Sequence, residues 1–224
     1  MSKIRRLNAP LKKPEDVIPH LGAPHHWKEG RSAKCLVDQW WSANDLPVRI
    51  REILNQTPEW RDAEMIDAFV ERCTSLEDGR PSHSQSDLLA VMGLGDGLGI
   101  LSIEAKVDEG FDRTVAEWLA KSSAGKVERL SKLCGLFGLV PNNIGGLRYQ
   151  LFHRTASAII EAKRYRASKA AMIVQSWSPL NDGFDDYIAF FEALGVAISE
   201  AGRLSDAIIV DGVSFRTAWS AEMS

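Results

Sequence analysis

Cysteine is scarce in this sequence. Its 224 residues include only three cysteines, Cys35, Cys73 and Cys134, which are odd in number, far apart and without a CxxC pair. A small secreted domain held together by disulfides needs paired cysteines in a dense framework. The cysteine content therefore argues against a disulfide framework and favours a reducing cytoplasm.

Long apolar runs and targeting segments are also missing. No apolar stretch approaches the length of about 20 residues that a membrane-spanning helix needs. The N-terminus is charged, but the apolar core of a signal peptide does not follow it. No internal repeat or low-complexity tract stands out. The sequence thus predicts a cytoplasmic protein without a membrane partner.

An excess of positive charge is missing as well. The chain has 27 Lys and Arg residues against 30 Asp and Glu residues, which gives a net charge of −3 at pH 7. A nucleic-acid-binding protein with this balance has to concentrate its basic residues in one place. A composition of 45% hydrophobic and 25% charged residues suits one globular domain. We expect an N-terminal arm over residues 1–30 and a single α/β domain over 31–224.

The N-terminal arm is rich in proline and in basic residues, which predicts an irregular segment over the surface. A solvated tail explains this composition better than an arm that binds nucleic acid. His25 and His26 are adjacent, and adjacent histidines without a third spaced ligand are a weak indication of a metal site. They are expected to be polar loop residues.

A β-hairpin is predicted within residues 81–109. Two apolar runs, Leu88–Met92 and Leu98–Ile103, are separated by five residues of which three are glycine and one is aspartate. If the chain reverses between residues 95 and 96, Asp87 lies opposite Glu104; one residue later, it lies opposite Lys106. Because side chains alternate along a strand, either register puts the three charged groups on one face. A bulge or an odd-length loop would break this parity.

The three charged groups have a chemistry in common. Two carboxylates within about 5 Å of each other repel unless one is protonated or a cation lies between them. Mg²⁺ accepts carboxylate oxygens and keeps water in its other positions. A lysine beside such a site can orient or deprotonate an attacking water. These residue types are sufficient for metal-assisted hydrolysis of a phosphodiester.

Asp87, a turn, and then Glu104-Ala105-Lys106 at the end of the next strand resemble the active-site hairpin of the PD-(D/E)XK, or restriction-endonuclease-like, nuclease superfamily. The resemblance covers about 25 residues and is only topological elsewhere. It departs at Ser86, where the superfamily usually has a proline directly before the aspartate; the nearest proline here is Pro81.

The resemblance implies a mixed central sheet flanked by helices and a nuclease acting on DNA or RNA. In that family pattern Asp87, Glu104 and the Ala105 carbonyl hold Mg²⁺ or Mn²⁺, and Lys106 positions or activates the water. A helix before the first strand often supplies an extra acid, which makes Glu52, after Pro47, one candidate. Glu71 is a second candidate, in residues 63–74, which are ambiguous between helix and strand and favoured as a strand by topology.

Substrate-binding residues are predicted on either side of the hairpin. Residues 75–86 are rich in turn formers and are expected to be a loop that brings Gln85 to the mouth of the site. Residues 147–165 form the strongest predicted helix, with Leu151, Thr155, Ala158 and Ala162 on a packing stripe and polar residues on another. Some families of the superfamily place a glutamine or a basic residue on this helix, so Gln150 and Arg154 are candidates and His153 is the next.

Further elements follow from periodicity and turn chemistry. Helices are expected at Ser32–Ala43, capped by Ser32, after Pro47, and over 114–121, 125–138 and 184–194. A buried parallel strand is expected at 169–177, and a terminal hairpin turns at Asp211-Gly212 between 207–210 and 214–219.

Other functions stay open. Glu104 and Lys106 are also explained as a solvated cross-strand pair. The same fold can serve as a non-catalytic module that binds nucleic acid or protein, and a homodimer is compatible with the sequence. A carboxylate pair can also hydrolyse sugars, but the adjacent lysine and the lack of an aromatic platform near the hairpin argue against it.

Overall fold

A computed structural model describes residues 4–6, 9–76 and 83–222 of the chain. The described strands are β1 Ile4–Arg6, β2 Ala9–Pro10, β3 Glu64–Ser75, β4 His83–Leu94, β5 Gly97–Lys106, β6 Lys169–Ser176, β7 Ile208–Val210 and β8 Val213–Ala221. The α-helices are α1 Ser32–Ala43, α2 Val48–Leu54, α3 Val115–Leu119, α4 Ala124–Phe137, α5 Tyr149–Arg164 and α6 Phe184–Ala193. Short 3-10 helices occur at Pro14–His20, Pro24–His26 and Pro141–Asn143.

The described strands form one mixed eight-stranded sheet in the order β2-β1-β3-β4-β5-β6-β8-β7. β3, β4 and β5 are antiparallel neighbours, whereas β5, β6 and β8 run parallel. The chain between β5 and β6 contains α3, α4 and α5, as a parallel connection requires a crossover. The fold is therefore mixed α/β.

Two apolar cores lie on opposite faces of the sheet because β4, β5 and β6 are covered on both sides. One core packs α4, α5 and α6 against residues such as Leu89 and Ile100. The other packs α1 and α2 against their strand neighbours, such as Leu88 and Leu101. Continuous apolar runs in β4 and β5 are explained by this double burial.

The β4–β5 hairpin has the register in which Asp87 faces Glu104. Leu88 pairs with Ile103 and Leu94 pairs with Gly97, so the reversal is centred between residues 95 and 96. The left-handed backbone conformation falls at Gly97, with φ 142°, and not at the two turn residues. Gly99 is also required for space, because a Cβ there would lie 2.9 Å from both Leu94 and Trp60. The hairpin prediction and its first register are confirmed.

Most other elements agree with the sequence prediction, including the terminal hairpin, where Asp211 and Gly212 have φ values of 48° and 80°. Two expectations were wrong. Ser32 is the first helical residue and Arg31 is the N-cap, without a side-chain cap. Residues 83–86 belong to β4, because they pair with the end of β3. Pro81 and the rest of the predicted loop over 77–82 lie outside the described residues.

The N-terminal arm is also more regular than predicted. It contributes two short strands, with Ile4 paired to Ala68 of β3, and two of the 3-10 helices. Leu11 and Val17 are buried in the core beneath α1 and α2. Among the described helices, none is long and apolar enough to cross a membrane.

Candidate functional site

Three carboxylates lie side by side at one end of the sheet. Glu71 in β3 stands between Val70 and Arg72, which pair with Leu88 and Ser86, so it faces Asp87 of β4. Glu104 of β5 continues the same row, on the sheet face that α5 covers. Alternation across β4 and β5 puts residues 87 and 104 on this face. Residue 71 lies where the alternation of β3 is interrupted, since Val70 packs in the core beneath α1 and α2 but Arg72 and Thr74 bond to Glu161 of α5.

Two cations and an amide from β5 and α5 surround Glu104, which is 2% exposed. Lys106 Nζ lies 2.9 Å from Glu104 Oε1, and Arg154 Nε lies 2.5 Å from Oε2. Gln150 Nε2 donates to Oε1 at 2.6 Å, while the Gln150 oxygen accepts from Lys106 Nζ at 3.2 Å. Gln150 and Arg154 face the hairpin as predicted, since residues i and i+4 share one side of a helix. We call Glu71, Asp87, Glu104, Lys106 and Arg154 the charged cluster.

The charged cluster has three acids and two bases, and the pKa values of the three acids differ strongly. Burial, together with the nearby Glu104 charge, raises the pKa of Asp87 to about 8. Burial alone would raise the pKa of Glu104 too, but Arg154 and Lys106 outweigh it and lower this pKa to about 2. The same two acids help to raise the pKa of Arg154 against the effect of its own burial. Glu104 is thus an ion-paired carboxylate, whereas Asp87 lacks a cation of its own.

Glu71 is held in an unusual backbone conformation. Its φ is 54°, in the left-handed region, although it lies inside a strand. Burial raises the pKa of its carboxyl to about 7, and Gln85 donates a hydrogen bond to that group. Backbone strain of this kind costs on the order of 1 kcal/mol and is typical of functional positions. Of the two predicted extra acids, Glu71 is the one at the site.

Glu52 is elsewhere. It lies on α2 with its side chain 61% exposed and paired with Arg49, and it is not among the described residues that line the cleft at the charged cluster. The prediction for Glu52 failed because α2 packs near β8 and not beside the carboxylate row.

His153 and Ser84 form a second layer behind Arg154. The Ser84 hydroxyl lies 2.9 Å from His153 Nδ1 and also accepts from Arg154 Nη1 at 3.3 Å. Burial and the Arg154 charge lower the pKa of His153 to about 3. Ser84 is 1% exposed. The pair is therefore placed to orient the Arg154 guanidinium rather than to contact a substrate.

The Ala105 backbone also faces Asp87. The Ala105 N–H donates to Asp87 Oδ2 at 2.7 Å, and the Lys106 carbonyl accepts from Trp177 N on the opposite side of β5. Because consecutive residues of a strand point their N–H and C=O groups to alternate neighbours, the Ala105 carbonyl points to the Asp87 side. This orientation is the one that a metal-ligating carbonyl would need.

The oxygens of Asp87, Glu104 and the Ala105 carbonyl suit a hard cation, although they do not surround a common point. Carboxylate and carbonyl oxygens are the ligands that Mg²⁺ and Mn²⁺ prefer. Burial raises the pKa values of the neighbouring Glu71 and Asp87 carboxyls, and a cation between them would favour their ionised forms. In the part of the chain that the structure describes, no group of three or more His, Cys, Asp or Glu side chains is arranged to hold a metal. Both Glu104 oxygens are engaged by Lys106, Gln150 and Arg154.

A cleft of about 470 Å³ opens onto the charged cluster. One wall consists of side chains from the cluster and its neighbour Gln85; the other consists of N-terminal residues and the start of α1, including Gly22, His25, His26, Arg31 and Ser32. We call this cavity the site cleft. No local pattern in the sequence points to Arg31, because its position depends on how the N-terminal arm packs against the sheet.

Comparison with known proteins places the chain in a family. A family profile described as a domain of unknown function, DUF6946, matches residues 10–224. The chain belongs to the DUF6946 family. Comparisons with curated proteins and with solved structures gave no match. The matched region contains every residue of the charged cluster and of the site cleft.

Proposed function

We propose that this DUF6946 chain is a metal-dependent nuclease with a restriction-endonuclease-like fold, which hydrolyses phosphodiester bonds of DNA or RNA. The observation that carries the proposal is the row of Asp87, Glu104 and Lys106 on one sheet face, facing Gln150 and Arg154 of α5. A solvated cross-strand pair does not account for it, because Glu104 and Lys106 are 2% and 4% exposed.

Each residue has a role in this proposal. Asp87, Glu104 and the Ala105 carbonyl would hold Mg²⁺ or Mn²⁺, with Glu71 as the extra acid. The bound cation supplies stabilisation for the negative charge that develops on the phosphate. Lys106 Nζ holds the attacking water, and Arg154 binds a phosphate oxygen from the wall of the site cleft. Gln150 keeps Lys106 and Glu104 in place through the bonds described above.

A second function is favoured by one observation. The Glu104 carboxylate already has three partners, which satisfies its charge without a metal ion. A chain in which that network is permanent would be a non-catalytic module that binds nucleic acid through the site cleft. The two functions differ in whether phosphodiester bonds are broken.

Cleavage assays with a matched pair of lysine variants distinguish them. Lys106 and Lys169 are both nearly buried and ion-paired, on adjacent strands, but Lys169 pairs with Asp96 at the far end of the hairpin. We expect wild type and Lys169→Met to cut single-stranded or double-stranded DNA or RNA with Mg²⁺ or Mn²⁺, and Lys106→Met to lose at least about 100-fold in rate. Binding without cutting in every metal would favour the non-catalytic module, and equal loss in both variants would place the role of Lys106 in folding.

A further inference from the structure

The residues that line the site cleft indicate which class of nucleic acid it binds. We propose that it binds single-stranded nucleic acid, with bases stacked on His25 and His26 and a backbone phosphate at Arg31. This inference rests on the proposed nuclease function and adds the substrate class to it. Three features carry it: the depth of the charged cluster, the two exposed rings, and the position of Arg31.

The charged cluster is approached through the site cleft. Glu104 and Lys106 are nearly buried, and the members of the charged cluster that line the cleft are Glu71, Asp87 and Arg154, so a phosphate would meet these three first. The cleft volume of about 470 Å³ lies in the range of pockets that enclose a small organic molecule. It therefore suits a nucleotide unit of a flexible strand. A duplex presents its phosphates on the outside of a stiff rod, and its backbone cannot bend into such a cavity without unstacking.

Two aromatic rings are available on the opposite wall. His25 and His26 are both exposed, and their ring centroids lie 4.5 Å apart at an interplanar angle of 88°. In this edge-to-face arrangement the edge of one ring covers one face of the other, and an unpaired base can stack on a face that stays open. Bases within a duplex have no free faces except at its ends. The rings thus favour a single strand over a double helix.

Arg31 supplies a cation at the same wall. Its guanidinium lies 3.5 Å from Asp108, but the two side chains are 55% and 71% exposed, so this pair contributes little and exchanges easily. A phosphate offers the guanidinium two oxygens in a bidentate arrangement. Arg31 and Arg154 then stand on the two walls of one cleft, and a sugar–phosphate chain between them would contact both. Glu71, Asp87 and Glu109 also line the site cleft, so the attraction of the two arginines for a phosphate depends on the cation that the proposed function places among the carboxylates.

Binding measurements test the inference separately from cleavage. Fluorescence anisotropy with Ca²⁺ in place of Mg²⁺ would be recorded on labelled single-stranded DNA, single-stranded RNA and duplex DNA of about a dozen nucleotides. We expect the single strands to bind at least about tenfold more tightly than the duplex. Replacing both His25 and His26 by alanine should weaken single-strand binding about fivefold or more, as stacking losses do.

The arginine test includes a salt series and a matched control. Arg31→Ala should lower the slope of log K against log salt by about 0.7, the value for one phosphate contact on a single strand. Arg203 is similarly exposed, at 61%, and has one weak ion pair, with Glu200, so Arg203→Ala should leave the slope unchanged. Equal or tighter duplex binding, or equal slopes for the two variants, would overturn the inference even if the protein cuts nucleic acid. Preferential single-strand binding without any cleavage would support it while the nuclease proposal fails.

Discussion

Replacing Asp87 by asparagine should make the metal-free protein more stable. Asp87 is ionised in the unfolded chain near neutral pH, but its pKa in the folded protein is about 8, because it is buried beside Glu104. Folding at pH 7.5 therefore requires either a buried charge or an extra proton. Asparagine has the same shape, carries no charge, and still offers an oxygen to the Ala105 N–H.

The size of the effect follows from the pKa difference. The unperturbed value is 3.8, and one pKa unit corresponds to about 1.4 kcal/mol. Between pH 3.8 and 7.5 the full penalty would be about 5 kcal/mol, as an upper limit. Asp87 is only half-buried by accessible surface, and a buried amide has its own desolvation cost, so we expect a gain of roughly 2 kcal/mol.

Urea denaturation with EDTA, at about pH 5 and about pH 7.5, measures this gain. Because the folded pKa is raised, the contribution of Asp87 to stability falls as pH rises from 3.8 towards 8, so the advantage of the variant over wild type should grow over that interval. Mg²⁺ at ten times its dissociation constant should then stabilise wild type by about 1.4 kcal/mol and the variant hardly at all.

A control substitution at the other end of the hairpin should change stability in the opposite direction. Lys169 lowers the pKa of Asp96, so Asp96→Asn removes a favourable ion pair and should decrease stability slightly at neutral pH. The reasoning is refuted if Asp87→Asn is less stable than wild type in EDTA, or if its advantage is the same at both pH values.

Two further predictions concern positions around the cluster. The folded pKa of His153 is about 3, below its ordinary 6.5, so the contribution of His153 to stability should fall by about 1 kcal/mol per pH unit as pH falls from 6.5 towards 4, opposite in sign to the contribution of Asp87. In acid titrations the stability of His153→Gln relative to wild type should therefore rise as pH falls over this interval, and that of the exposed His83→Gln should not. Gly99→Ala should lower the free energy of unfolding by about 1–3 kcal/mol, because its Cβ would meet Trp60 at 2.9 Å. Gly135→Ala in helix α4 has open space around its Cβ and should raise the free energy of unfolding by about 0.5–1 kcal/mol. Urea denaturation of both variants tests this, and a Gly99→Ala variant as stable as wild type would contradict it.

The hairpin and its charged face were predictable because their signals are local. Alternation fixes which side chains share a face, so both registers that the Gly-Asp turn allows put Asp87 on the face of Glu104 and Lys106, and the structure has the first of them. The i, i+4 spacing on α5 likewise brought Gln150 and Arg154 to the same side. These inferences require only neighbouring residues in sequence and the geometry of a strand or a helix.

The rest of the site depends on contacts between distant parts of the chain. Glu71 lies at the site and Glu52 does not, because β3, and not α2, lies beside β4. The turn formers after His83 became part of β4 because they pair with residues up to Ser75. Arg31 reached the site cleft through the packing of the N-terminal arm. Such pairings are set by tertiary structure, which overrides local propensity.

The helix that neutralises the carboxylate row comes late in the chain. Glu104 has its counter-charge from Arg154, and between them lie two further helices, α3 and α4. A nascent chain that has been synthesised only through Lys106 therefore holds three neighbouring acids and one lysine. We expect mutual repulsion of those acids to weaken the pairing of β3, β4 and β5 until α5 has docked and brought Arg154 to Glu104.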